Sequence, residues 1–184
     1  MVRIPYLEPA HASDEVRKTF AKLAAPLNIF RMMAHAQMNF RPLVRLGSSI
    51  LSEQKLNGKL RELAILHVAM QSGARYEWIQ HVPIAKAVGA TDEQIEALER
   101  GDADAPAFNA QEGLVLRFAT EVVRDVRASD AVMAEMIAHF TPQEIVELIL
   151  AIGFYMMMAR LMETTGVDLE PAPGTAIYDA LKGR

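Results

Sequence analysis

Glu62 and His81 are the pair in this chain best suited to moving a proton. Glu62 follows Arg61, and His81 closes the run Tyr76-Glu77-Trp78-Ile79-Gln80-His81. Ser72-Gly73 interrupts the helical pattern between them, so the two segments read as a helical hairpin. Glu62 lies 11 residues before Gly73, and His81 lies 8 after it. At about 1.5 Å of rise per residue, the two stand at nearly the same height, roughly one turn apart. A buried Glu62 carboxylate there would fix the imidazole tautomer and raise its basicity, which suits proton transfer.

The neighbouring residues extend that chemistry. Tyr76 lies five residues before His81, a little over one turn, so both can face one cavity. Its hydroxyl would stabilise an enolate oxygen. Glu77 sits at i−4 from His81 as a second acid–base or ion-pair partner, and Trp78 offers an apolar wall. The candidate catalytic residues are therefore Glu62, His81 and Tyr76. The candidate substrate-binding residues are Glu77, Trp78 and His35. Plainer readings fit the same spacing. Glu62 beside Arg61 and near Lys59 suits a surface ion pair. Glu77 and His81 suit an exposed helix pair worth ~0.2–0.5 kcal/mol. His35 and His67 suit ordinary helix histidines.

The five histidines, His11, His35, His67, His81 and His139, form neither His-x-His nor His-Glu-x-x-His. Zinc thus has no motif, and a metal on Glu62, Glu77 and His81 is the weakest reading. The expectation is no metal and no cofactor.

Composition narrows the classes further. The chain has 184 residues, 51% of them apolar, a formal net charge of −4 and no cysteine. That length suits one domain spanning 1–184, and half-apolar composition argues against disorder. Without cysteine there are no disulfides, thiolate metal sites or thiol redox chemistry. Mild acidity gives no electrostatic case for nucleic acid. The N-terminus lacks an apolar run of signal-peptide length, so the expected compartment is the cytoplasm. The uncharged stretch from Leu148 to Ala159 is shorter than the roughly 20 apolar residues of a membrane span, so it reads as a buried helix.

The elements that must position the pair are helices. Ser13 or Asp14 caps a first helix that Pro26 ends, with Val16, Phe20, Leu23 and Ala24 on one face. A Met-rich stretch runs from Ile29 to Phe40, and Pro42 suits the first turn of the next segment. Helices follow from Lys59 to Met70 and from Tyr76 to Val88. Capping boxes open at Thr91, Asn109 and Thr141, and Ser129 caps another helix. Val126 and Ile137 read as inward-facing. The last long helix, reaching about Met162, is apolar nearly all round, as expected of a central helix or one covered by another subunit. Six of the 11 methionines fall between Met133 and Met162, which suits a deformable core, an apolar cavity or an interface. The tail from Asp168 reads as an arm on the surface or on a neighbour. The expected fold is all-α, a single-domain bundle of seven or eight helices.

Leu60-Arg61-Glu62-Leu63-Ala64-Ile65-Leu66 through Tyr76-Glu77-Trp78-Ile79-Gln80-His81 to Gly89-Ala90-Thr91 resembles the carboxymuconolactone decarboxylase family. That superfamily includes the alkylhydroperoxidase D-like proteins, and the resemblance covers most of the chain and is strongest over residues 59–91. It implies an all-helical fold, assembly into trimers or hexamers, and sites near subunit contacts. The peroxidase branch carries a glutamate, a Cys-x-x-Cys and a histidine. Glu62 and His81 match the glutamate and histidine, whereas Ala74 and Glu77 stand at the cysteine positions. The resemblance therefore implies a proton relay without its redox half.

The decarboxylase branch implies loss of carbon dioxide from a lactone carboxylate and delivery of a proton to carbon. The expected function is a cofactor-independent decarboxylase or lactone-isomerase type lyase, acting on a small lactone or organic acid. The alternative is a non-catalytic oligomer that binds a small apolar ligand. The expected partners are a small-molecule substrate and copies of the same chain, with neither nucleic acid nor membrane.

Overall fold

The computed structural model describes residues 2–182. Among these residues the chain forms ten α-helices and one short 3-10 turn, with no strand. The helices are α1 (Asp14–Phe20), α2 (Asn28–Met33), α3 (Gln37–Ser52), α4 (Gly58–Gln71), α5 (Arg75–Ala87), α6 (Asp92–Glu99), α7 (Ala110–Asp125), α8 (Asp130–His139), α9 (Pro142–Thr165) and α10 (Ala176–Lys182).

Local chemistry sets most of these boundaries. Ser13 accepts the Val16 amide at the start of α1, and Asn57 accepts the Lys59 and Leu60 amides at the start of α4. Reciprocal capping boxes at Thr91/Gln94, Asn109/Glu112 and Thr141/Glu144 open α6, α7 and α9. Gly166, in the left-handed conformation, closes α9.

Helix α4 is the axis of the bundle. Every residue from Leu60 to Ala69 is buried, because α5, α7 and α9 pack around it. Three clusters surround this axis. One joins α3, α4, α7, α8 and α9 through Ile50, Ile65, Phe118, Met136 and Ile152. A second joins α1, α2, the start of α3 and the end of α9 through Phe20, Met33, Phe40 and Met162. A third joins α4, α5, α6 and α7 through Leu66, Trp78, Leu98 and Leu116.

Several expectations need correction. Helix α1 ends at Phe20, well before Pro26. The Met-rich stretch breaks into α2 and the start of α3, and Pro42 lies inside α3 rather than in its first turn. The hydrogen bond that Pro42 cannot make would have gone to the carbonyl of Met38, an exposed residue that water can reach. Val126 and Ile137 point outward. Val126 ends α7 in the left-handed region, at φ 68°, and is 87% exposed. Helix α9 buries one side only; Val146, Ile149, Leu150 and Met157 form an exposed apolar stripe on the other. By length and composition α9 could cross a membrane, but half of its most apolar window is buried within this fold. The tail lies on its own chain, with α10 against α3.

Candidate active site

The hairpin brings Glu62 and His81 into contact. His81 Nδ1–H donates to Glu62 Oε2 at 2.8 Å. The other carboxylate oxygen, Oε1, accepts Arg61 Nε–H at 3.2 Å. All three side chains are buried, and Glu62 is wholly so. The surface ion-pair reading of Glu62 is therefore excluded. Adjacent residues on a helix do not normally face each other, so the long Arg61 stem must fold back to reach its neighbour. With Nδ1–H committed to Glu62, the other ring nitrogen, Nε2, carries the reactive lone pair or proton.

His81 borders a cavity of about 500 Å³. Its walls come from α1, α2, α3, α5, α9 and the C-terminal arm. Gly47 lets α3 approach α9 here, since a Cβ at that position would meet the Phe154 ring at 3.0 Å. Leu43, Val44, Phe154 and Met158 make much of the wall apolar.

Tyr76 and Glu77 also border the cavity, but neither is free in the way its spacing suggests. The Tyr76 hydroxyl donates to the carboxylate of Glu170, which also accepts the Asn28 amide at 2.6 Å. Tyr76 therefore latches the C-terminal arm, and its proton is not offered to a substrate. Burial first, and then the Glu170 carboxylate, push its pKa up. Glu77 is enclosed, and both its carboxyl oxygens lack a hydrogen-bond partner. Burial raises its pKa well above the ordinary carboxylate range, and the Glu62 and Glu163 carboxylates reinforce the shift. A neutral carboxylic acid is the form such surroundings favour.

Trp78 and His35 lie elsewhere. Trp78 belongs to the cluster with Leu63, Leu66 and Leu98, because it is two residues, about 200° of turn, from Tyr76. His35 is exposed, and its Nε2–H donates to the Pro5 carbonyl at 2.7 Å. Among the described residues no three His, Cys, Asp or Glu side chains converge as a metal cage.

Spacing missed Tyr155. It lies within the apolar run of α9, where nothing local sets it apart from core. Its ring packs edge-on against His81, with centroids 4.6 Å apart, and it borders the cavity. No hydrogen bond holds its hydroxyl among the described residues. Burial, and then the Glu62 and Glu77 carboxylates, raise its pKa well above the ordinary phenol range, so it stays protonated.

Residues 39–121 match the model of the carboxymuconolactone decarboxylase family. That segment is a little under half of the chain. It contains the whole Glu62–His81 hairpin, but it is shorter than the near-complete resemblance that the sequence suggests. Solved structures extend the likeness in fold. A peroxidase-related protein of Ralstonia eutropha with an alkylhydroperoxidase AhpD core superposes with a TM-score of 0.78 at 19% identity, covering 92% of each chain. A putative antioxidant defence protein AhpD of Agrobacterium tumefaciens gives 0.67 at 21% identity, covering 74% of this chain and 94% of its own. The debrominase Bmp8, solved in complex with 2,3,4-tribromopyrrole, gives 0.73 at 16% identity, covering 95% of each chain. At these identities the likeness establishes the alkylhydroperoxidase D-like fold. No curated protein matches the sequence significantly.

Proposed function

We propose that this protein is a cofactor-independent proton-transfer enzyme of the carboxymuconolactone decarboxylase family, a lyase or isomerase acting on a lactone or organic acid. One observation carries the reading. A buried carboxylate fixes one nitrogen of His81 at 2.8 Å, and the same imidazole borders a cavity. The match of the hairpin to the family model and the debrominase among the structural relatives support an enzyme in general terms.

The chemistry balances without any redox partner. In decarboxylation, the bond to the substrate carboxylate breaks and carbon dioxide leaves. The electron pair moves into the conjugated carbonyl, forming an enolate. His81 Nε2–H then delivers its proton to carbon and recovers one from water. In isomerisation, neutral Nε2 takes a proton from one carbon and returns it to another. Glu62 stabilises the imidazolium in both cases. Tyr155 replaces Tyr76 as the donor to the enolate oxygen, because Tyr76 is committed to Glu170. A positioned general acid contributes ~10²–10⁴-fold.

A panel of lactone carboxylates tests this with wild type, His81→Ala and Glu62→Gln. Wild type should release carbon dioxide or isomerise a member of the panel. His81→Ala should lose about 10²–10⁴-fold, with Glu62→Gln between the two. Equal turnover by all three overturns the assignment. Binding without turnover would leave the ligand-binding alternative standing.

Self-association belongs to the same proposal. The exposed stripe of Val146, Ile149, Leu150 and Met157 on α9 is the apolar face that a second copy would cover. Charged substitutions at Ile149 and Leu150 should lower the mass seen by sedimentation, whereas a wild-type monomer would refute it.

A further inference from the structure

The cavity is polar at its two ends and apolar between them. At the mouth, the exposed side chains of Lys18, Lys22, Arg41 and Arg45 face the carboxylates of Glu15 and Glu53. Lys18, Arg41 and Arg45 stand against Glu15 and Glu53 there, in a chain whose formal net charge is −4. Glu53 is bound by Arg45, and Glu15 lies 3.5 Å from Arg41. Lys18 has no ion-pair partner among the described residues. At the buried end stand His81 and Tyr155.

The wall between offers no spare hydrogen-bond donors from its hydroxyl residues. Thr19 Oγ1–H donates to the Glu15 carbonyl at 2.9 Å. Ser48 and Ser52 donate to the Val44 and Ser48 carbonyls, both at 2.8 Å. Each hydroxyl donates to its own helix, and the neighbouring lining side chains Leu43, Val44, Phe154 and Met158 are apolar. The cavity is also roomy. Its volume of about 500 Å³ exceeds what a small lactone acid fills.

We propose that the ligand is an amphipathic carboxylate, larger than a small lactone acid. Its anion lies at the mouth beside Lys18, and its apolar body runs along α3 and α9 toward His81. What reacts at His81 rests on the proton-transfer reading above, whereas what binds rests on the cavity alone. The expectation of a small acid is thereby enlarged. A carboxylate held at the mouth is not the one lost at His81, so such a ligand would present a lactone or carbonyl end to Nε2.

Calorimetry with decanoate, butanoate and decan-1-ol as probes tests the inference on the full chain. Decanoate should bind at least about tenfold tighter than butanoate, through its extra methylenes, and tighter than decan-1-ol, through its charge. Lys18→Glu combined with Lys22→Glu should weaken decanoate at least about fivefold and leave decan-1-ol within about twofold. Both residues are exposed, Lys18 in α1 and Lys22 just beyond its end, and an unchanged melting temperature will confirm that the variant folds. Raising the salt concentration should erode the decanoate preference. Equal affinity for decanoate and decan-1-ol, an unchanged preference in the double variant, or no binding of decanoate overturns the proposal. Binding as expected with no turnover of any lactone fails the catalytic reading alone. Turnover of a lactone without carboxylate selectivity fails this inference alone.

Discussion

His81 and His67 sit on neighbouring helices of one hairpin, and both are buried, yet their surroundings fit them for opposite tasks. His81 gives Nδ1–H to a carboxylate and borders the large cavity. His67 has no carboxylate in hydrogen-bond contact. Its Nε2 lies 2.7 Å from the Thr120 hydroxyl and 2.5 Å from the Gln71 side-chain amide, both neutral partners. The other nitrogen, Nδ1, is enclosed without a partner. Burial then pushes the His67 pKa down to about 4, against a smaller opposing effect of Asp104. An imidazole buried among neutral groups becomes a fixed neutral side chain. The Glu62 carboxylate makes the difference at His81, because it holds Nδ1–H and so fixes the ring's orientation and tautomer.

Removing that carboxylate is the strongest way to break the contrast. Glu62→Ala should destabilise the fold by about 3–5 kcal/mol, the range for breaking a buried charge pair. Arg61 is the reason, since its guanidinium is buried and already has one unpartnered nitrogen, Nη2. Urea unfolding at pH 7 would measure the loss. Glu62→Gln keeps the shape and should lose less. A loss below about 1 kcal/mol in Glu62→Ala would show that water, not Glu62, satisfies Arg61.

The next effect is acidic and belongs to His67. Its folded pKa lies below the ordinary value of 6.5 for a free histidine, so the unfolded chain binds the proton more tightly. Stability is therefore full above about pH 6.5 and is lost as the pH falls toward about 4, by up to about 3 kcal/mol. His67→Gln removes the titrating group. Denaturant midpoints between pH 7 and pH 4 should consequently fall less steeply in the variant. An identical slope in both proteins would refute the neutral-histidine reading.

Sequence made some of this legible because it lies in local signals. Thr91/Gln94, Asn109/Glu112 and Thr141/Glu144 are three-residue spacings, and each forms its box. Glu62 and His81 were readable for a related reason. One helix break and a known rise per residue fix their relative height. Trp78 could have been placed by the same geometry, since its angular offset from Tyr76 turns it to the opposite side of α5. Tyr155 could not, because a tyrosine within an apolar run looks like core until its neighbour across the bundle is known. The Tyr76–Glu170 latch joins residues 94 apart, and no periodic pattern reports a contact of that range. Val126 was misread because the helical repeat places it inward, whereas the chain leaves the helix there through the left-handed region.

His35 supplies the smallest expected effect and a control for the comparison. It has a hydrogen-bond partner, like the other two, but that partner is the Pro5 carbonyl at the surface. It neither borders the cavity nor faces a carboxylate. His35→Ala gives up one solvent-exposed hydrogen bond, so stability should fall by about 0.5–1.5 kcal/mol. Turnover on any substrate found for the wild type should stay within about twofold, because His35 lies outside the cavity lining. Loss of turnover in His35→Ala with the fold intact would mean that a histidine can serve this site from outside the cavity, and the carboxylate partner would then cease to be the feature that separates His81 from the rest.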